Sequence, residues 1–365
     1  MKIYIATTWN AKCGIATYSA FLAEELISLG HDVKILAEKN LDPKSIDKNF
    51  PGKKIPFVEC WSRSEGFKDM EKVIEKEKPD ILSLQHQFAL FPTLSDLNGV
   101  AFLAKKGGCR IMTTLHDVIP YSAQSEGYFK HLIGMSDSII VHTSTCKRLL
   151  MNDWHCPESK IKLIMHGTKL VDVPSKLEAR KTLGLEKNAK ILLSYGFVWP
   201  SKGLHDILRV LAELKKTIPE LIYIHAGGQH PVFPYADYVK QLIKTAMSTG
   251  ITPKDFKITG FINDKDLIQY FGACDVIVLN YMRGSASASG AAHRSLSSHR
   301  PIVGTDDFCI EEIPKLEYAK GDIQGLMQSL KKILGDENLQ KELILKAEKV
   351  AEESSWANTA KKYVA

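Results

Sequence analysis

At 365 residues the chain has room for about two domains, and 44% hydrophobic with 25% charged residues is the balance of a water-soluble protein with full cores. A net charge of +6 with no block of basic residues interleaved with aromatics argues against nucleic acid as a partner and leaves an anionic ligand or an acidic membrane surface open. The seven cysteines are scattered, without a CxxC, which predicts free thiols in a reducing cytoplasm. No run of about 18 apolar residues predicts a membrane span, and the opening MKIYIA reads as a strand rather than a leader.

Lys2–Ala6 reads as a strand, Thr7–Cys13 as a polar loop and Gly14–Leu29 as a helix, with Ile15, Tyr18, Leu22, Leu26 and Leu29 on one face. Strand Val33–Ala37 closes a βαβ unit. Gly14 stands where the loop meets the helix, but GxGxxG is absent, so the dinucleotide fingerprint is not met. Residues 39–54 form a polar excursion, Ile55–Val58 a short strand and Gly66–Lys78 a charged amphipathic helix. Strand Ile81–Leu84 precedes Gln85-His86-Gln87, and Phe102–Lys106 reads as helix. Arg110–Leu115 is a strand ending in His116-Asp117. Ser138–His142 and Ile161–Ile164 are strands around the helix Cys146–Asn152.

Residues 171–189 are polar and mark a boundary, after which the pattern repeats. Strand Ile191–Tyr195 runs into Gly196, and the loop to Gly203 opens a helix with Leu204, Ile207, Leu208, Leu211 and Leu214 on one face. Strand Leu221–Ala226 ends in Gly227-Gly228. Helix 236–248, strand Phe256–Thr259 and helix Asp264–Phe271 follow. Val276–Leu279 has the continuous apolar character of a strand buried on both faces. A loop of Gly, Ser and Ala to Ser289, a helix Gly290–Ser298 and strand Ile302–Gly304 come next. Helices 322–334, 336–353 and Trp356–Val364 finish the chain. Strand, small-residue loop and helix start together place backbone N–H groups at a sheet's carboxyl edge, a seat for an anion such as phosphate. The alternation predicts two doubly wound α/β domains, 1–170 and 171–350, facing across a ligand cleft.

In order and spacing, several of these stretches resemble the GT-B glycosyltransferases of the group 1/family 4 type. They are GIATYSAFLAEEL (14–26), TTLHDVIP (113–120), IIVHTS (139–144), LIMHGT (163–168), SYGFVWPSKGL (194–204), HAGG (225–228), ITGFI (258–262), YFGACDVIVLNY (270–281), SGAAHRSLSSHRPIVGTD (289–306) and SSWANTAKKY (354–363). The resemblance implies two Rossmann-like domains, with the C-terminal helix, 351–365, crossing back to pack on the first. It implies transfer of a hexose from a nucleotide-diphosphate sugar to a carbohydrate or lipid-linked acceptor, with retention and without cofactor or metal. It also implies a cytoplasmic protein, with peripheral membrane contact open.

A departing nucleoside diphosphate gathers negative charge, which calls for a cation and N–H donors already in place. Lys202 has the reach for this, and Gly203 beside it permits close backbone approach. By resemblance His116 meets the transferred sugar; Asp117 reads first as a structural residue such as a helix cap, with orientation of His116 as the alternative. The expected donor-binding set is Gly14, Gly196, Lys202, Gly203, Gly228, Ser289, Gly290 and Arg294, with Arg283 and Glu311 as secondary candidates. The implied mechanism is front-face, the leaving phosphate helping to deprotonate the acceptor, so no general base is assigned.

The chain departs from the family at its paired glutamates: Arg294 stands at the second, and the first falls near Ala286. An arginine accepts no hydrogen bond and favours phosphate or carboxylate, so Arg294 or Arg283 is a candidate replacement for the cation that Phe197 displaces. Two alternatives follow. One is a glycoside phosphorylase holding phosphate on Arg294 and Lys202. The other is a carbohydrate- or nucleotide-binding subunit that needs a partner. Asp264-Lys265-Asp266 spells DxD but reads as an Asp-capped helix start, and Asp306-Asp307 reads as a turn or cap. The histidines lack paired ligand spacing.

Overall fold

The computed structural model describes residues 1–91, 97–120, 122–231, 234–282 and 288–365. The elements run β1 (Lys2–Thr7), α1 (Gly14–Ser28), β2 (Asp32–Glu38), β3 (Phe57–Trp61), α2 (Lys68–Glu77), β4 (Ile81–His86), α3 (Leu97–Lys106), β5 (Arg110–Leu115), α4 (Ala123–Met135), β6 (Ser138–Val141), α5 (Ser144–Asn152) and β7 (Ile161–Leu163). The second series is α6 (Lys176–Leu183), β8 (Lys190–Tyr195), α7 (Leu204–Lys215), β9 (Leu221–Ala226), α8 (Ala236–Ser248), β10 (Phe256–Ile258), α9 (Asp264–Ala273), β11 (Val276–Leu279), α10 (Gly290–Ser295), β12 (Ile302–Thr305), β13 (Leu316–Tyr318), α11 (Ile323–Gly335), α12 (Glu337–Glu353) and α13 (Trp356–Val364). Two compact units result, one chiefly Met1–Gly167 with Trp356–Ala365, the other Thr168–Gly284 with Ser289–Ser355.

The first unit holds a seven-stranded sheet in the order β3-β2-β1-β4-β5-β6-β7, and the second a six-stranded sheet in the order β10-β9-β8-β11-β12-β13. Every pairing is parallel. Parallel strands are covered on both faces, and β4, β11 and β12 are accordingly buried at every position. Strand order reverses between β1 and β4 and again between β8 and β11. At such a switch point the loops leaving neighbouring strands diverge, and a crevice opens at their carboxyl ends.

The core of the first unit packs α1 through Tyr18, Phe21, Leu22 and Leu26 together with Trp356, Ala360 and Tyr363 of α13. Gly167 is required beneath that helix, since a Cβ there would lie 2.3 Å from the Trp356 ring. In the second unit one core gathers the apolar face of α7 on Leu192, Val276 and Val303, and another gathers α9 and α10 on Leu193, Ile277 and Ile302.

Several boundaries differ from the sequence reading. β4 runs on to His86 because β5 continues beside it, Gln85 pairing with Thr114 and His86 with Leu115. β3 lies at Phe57–Trp61 rather than 55–58, with Cys60 and Trp61 as its buried end. α4 was not anticipated; glycines 127 and 134 interrupt its helical signal. α10 stops at Ser295, three residues short of the expected end. Among the described residues no helix is long and apolar enough to cross a membrane, and all seven cysteines are free thiols.

Candidate functional site

In the second unit, β8 delivers the chain to Gly196 at φ +99, and a single 3-10 turn, Pro200–Lys202, swings Lys202 back over the strand end. The Lys202 ammonium donates to the carbonyl of Tyr195 at 3.2 Å and lies 4.9 Å from the centre of the Tyr281 ring. Burial pushes its pKa down to about 8, since a desolvated cation is disfavoured. Among the described residues no carboxylate forms an ion pair with it. A Cβ on Gly196 would sit 3.3 Å from the ammonium nitrogen.

Neighbouring loops are clipped to this one. Gly203 adopts φ +57, and a Cβ there would meet Asn280 Nδ2 at 2.4 Å. The same amide nitrogen donates to the Gly203 carbonyl at 2.8 Å, and Tyr318 donates to Asn280 Oδ1 at 2.6 Å. His225, at the end of β9, joins Ser194 Oγ through Nδ1 at 2.7 Å and the Gly196 carbonyl through Nε2 at 3.0 Å. A carbonyl only accepts, so Nε2 carries the hydrogen and Nδ1 accepts from the serine. Burial, and then Lys202, hold this imidazole neutral, with its pKa pushed down to about 3. Gly227 is pressed onto Gly196, whose oxygen lies 1.8 Å from where a Cβ would be, and Gly228 is similarly close to the Phe261 amide nitrogen at 2.7 Å. Gly228, Val198, Gly260, Ile243 and Phe256 line an open apolar cavity of about 650 Å³.

Ser289 caps α10, accepting from the Ala292 amide at 3.2 Å and pairing with the Tyr281 hydroxyl at 2.7 Å. Gly290 is the first residue of that helix. Arg294 is bound to Asp264 at 2.9 Å, so its guanidinium already faces a carboxylate rather than an open anion seat. The cap of α9 is Asn263, which accepts from the Asp266 amide at 3.0 Å. This corrects the expectation that Asp264 caps the helix; Asp264 serves Arg294 instead. Asp307 does cap a turn, accepting from the Cys309 amide at 3.1 Å. Glu311 follows the 3-10 turn Phe308–Ile310, and Arg283 and Ala286 lie outside the described residues.

In the first unit Gly14 opens α1, a helix with no side-chain cap and no acidic residue in its first turn. Open space surrounds the Cβ position of Gly14. His116 follows β5 and joins Gln85 Oε1 through Nε2 at 3.0 Å. Tyr18 meets the His116 ring edge-on at 4.8 Å, and the His142 ring lies 5.7 Å away. Burial, then His142, His166 and His86, hold the His116 pKa well below the usual imidazole range, so the ring is neutral. Asp117 is buried and accepts from Gln87 Nε2 at 2.7 Å. Among the described residues no three His, Cys, Asp or Glu side chains gather as metal ligands.

The second unit thus brings Gly196, Lys202, Gly203, Gly228, Ser289 and Gly290 to one sheet edge, and the first brings His116 and Asp117 to another. Sequence reasoning passed over Tyr281, Asn280, His225 and Gln85. Their signal was position alone: each lies at or just beyond the carboxyl end of a strand.

Residues 13–171 match the family model Glycosyltransferase Family 4, and residues 175–350 match Glycosyl transferases group 1. The chain belongs to the group 1/family 4 glycosyltransferases. The fold of this glycosyltransferase is accordingly GT-B. It is similar to the crystal structure of Anabaena Alr3699/HepE in complex with UDP, with a TM-score of 0.79 and 16% identity, covering 100% of this chain and 98% of that one. A glycosyltransferase from Rickettsia africae ESF-5 gives a TM-score of 0.80, again at 16% identity, covering 100% and 97%. At that identity the likeness is one of fold. Among curated proteins, the serotype-specific mannosyltransferase WbdA of Escherichia coli is 24% identical over 187 residues, 47% of this chain and 21% of its own length. The processive diacylglycerol alpha-glucosyltransferase of Acholeplasma laidlawii is 25% identical over 157 residues, 41% of this chain and 44% of its own length. The chain therefore spans less than half the length of these two relatives.

Proposed function

We propose that this glycosyltransferase moves a hexose from a nucleoside-diphosphate sugar to a carbohydrate or lipid-linked acceptor, with retention and without a metal ion, at the cytoplasmic side of a membrane or in the cytoplasm. The observation that carries the reading is Lys202, a cation with its charge disfavoured by burial, held on a carbonyl and an aromatic face at the sheet's switch point. Its arrangement suits an anionic group that arrives with the ligand and gains charge as the bond breaks. Gly196, Gly203, Gly227 and Gly228 let the backbone approach that group closely. The neutral His116 ring is suited to hydrogen bonding with sugar hydroxyls rather than to acting as a base. In this reading the leaving diphosphate oxygen takes the acceptor's proton. The donor class draws support from relatives named as a mannosyltransferase and a diacylglycerol glucosyltransferase. The phosphorylase alternative is weakened because Arg294, its second phosphate ligand, is already paired with Asp264.

The test is thermal stability against UDP, GDP, ADP, CMP, their sugars and inorganic phosphate, followed by sugar release from whichever nucleotide sugar binds. A ligand at about 100 times its Kd adds about 2.7 kcal/mol, and one nucleoside diphosphate is expected to do so. No shift with any nucleotide, or a shift with phosphate alone, would overturn the reading.

A further inference from the structure

We infer that Tyr363 on α13 is a positioning residue for His116, acting through the side chain of Gln85, and that it sets which imidazole nitrogen carries the hydrogen. Ser83 and Gln85 stand two apart on β4 and so share a face of the sheet, and Thr114 of β5 is the register partner of Gln85. These three polar side chains are fully buried, as is Tyr363. Buried polar groups are costly unless bonded, and the Tyr363 hydroxyl answers all three. It lies 2.6 Å from Ser83 Oγ, 2.8 Å from Thr114 Oγ1 and 3.0 Å from Gln85 Nε2.

The direction of these bonds is what matters. The Gln85 amide nitrogen has two hydrogens, and they go to Tyr363 Oη and to Ser83 Oγ at 2.9 Å. That leaves Gln85 Oε1 facing His116 Nε2 at 3.0 Å. An amide oxygen only accepts, so His116 is the Nε2–H tautomer and its Nδ1 keeps a lone pair. The edge-on contact of Tyr18 fixes the ring plane. His116 therefore presents an acceptor at Nδ1, suited to a sugar hydroxyl, and the last helix of the chain holds it that way. Turning the Gln85 amide over would reverse every bond and give the opposite tautomer, so the inference is open to direct measurement.

The catalytic consequence rests on the role proposed above for His116; the tautomer does not. The experiment is ¹⁵N imidazole NMR of the full chain, with the His116 signal assigned by its loss in His116→Ala. Wild type is expected to show the Nε2–H signature. Tyr363→Phe, which removes only the hydroxyl, is expected to give a mixed signature. In that variant kcat for the nucleotide sugar selected by the binding panel should fall on the order of tenfold, with KM unchanged. The exposed control Lys361→Ala should match wild type in both. An Nδ1–H signature in wild type, which needs no variant to fold, overturns the inference, as does a Tyr363→Phe spectrum identical to wild type. Full activity in His116→Ala would instead remove the proposed role of His116 and leave the tautomer result standing.

Discussion

Replacing Lys202 with methionine should make the free protein more stable at neutral pH while abolishing its affinity for nucleoside diphosphates. The lysine's pKa falls from 10.5 to about 8 on folding. At 1.36 kcal/mol per pH unit, charging the ammonium in its folded position costs roughly 3 kcal/mol. Methionine keeps the apolar stem but loses the bond to the Tyr195 carbonyl, worth about 1 kcal/mol, leaving a net gain of about 2 kcal/mol. The sign follows from proton uptake. Above pH 10.5 the group is neutral in both states and costs nothing; between 10.5 and 8 only the unfolded chain binds the proton, so wild-type stability falls as pH falls. The variant's advantage is therefore complete below pH 8 and gone by about pH 10.5. Urea denaturation of both proteins at pH 7 and pH 10 measures it, and nucleotide-induced thermal shifts measure the loss of binding. A variant no more stable than wild type at pH 7, or a gain equal at both pH values, would refute the desolvated-cation argument. A variant still stabilised by the nucleotide like wild type would refute the assignment of the anion to Lys202.

Gly227→Ala forces a methyl into the backbone of Gly196, 1.8 Å away. It should destabilise by about 3 kcal/mol or more and weaken nucleotide binding, both read in one melting series with and without ligand. Gly14→Ala meets no atom within 4 Å and should melt like wild type, so any effect will appear in turnover alone. Burial pushes the pKa of His86 and His166 down to about 3 and of His142 to about 4 from 6.5. Only the unfolded chain takes up those protons as pH falls below 6.5, so each histidine removes about 2 kcal/mol of stability by pH 5. Melting temperatures should be flat between about pH 6.5 and pH 8, where neither the histidines nor Lys202 titrate, and fall steeply below pH 6.5, and a profile flat to pH 5 would contradict the neutral cluster. Trp356→Ala opens a cavity against Tyr18, Phe21 and Gly167 and should cost about 3–5 kcal/mol, seen as a lowered urea midpoint.

The alternation of strand and helix was legible because parallel strands buried on both faces leave continuous apolar runs, as Val276–Leu279 does, and because amphipathic helices such as α7 repeat at helical spacing. α4 was not legible, since two glycines dilute its pattern and tertiary packing holds it. Lys202 could be found because a lysine beside a glycine after a strand end is a local signal. Its partner Tyr281 could not, since the fold brings the two together through the pairing of β8 with β11 and the bonds from Asn280 to Gly203 and from Met282 to Ser201. Arg294 illustrates the limit from the other side. The sequence shows an unexpected cation in α10, but only the fold shows Asp264 reaching it from α9. The bonds of Tyr363 to Ser83, Gln85 and Thr114 join residues roughly 250 or more positions apart, beyond any periodicity argument.

The place of α13 has a consequence for biosynthesis. Trp356, Ala360 and Tyr363 belong to the core of the first unit, yet they follow all of the second unit in the chain. Domains usually fold in the order in which they emerge from the ribosome. Here every strand of the first sheet emerges early and then waits, with Ser83, Gln85 and Thr114 lacking the hydroxyl that satisfies them and Gly167 lacking the indole that covers it. The unit that is translated first is the one completed last, so a ribosome that stalls anywhere before Trp356 releases a first unit with an open core.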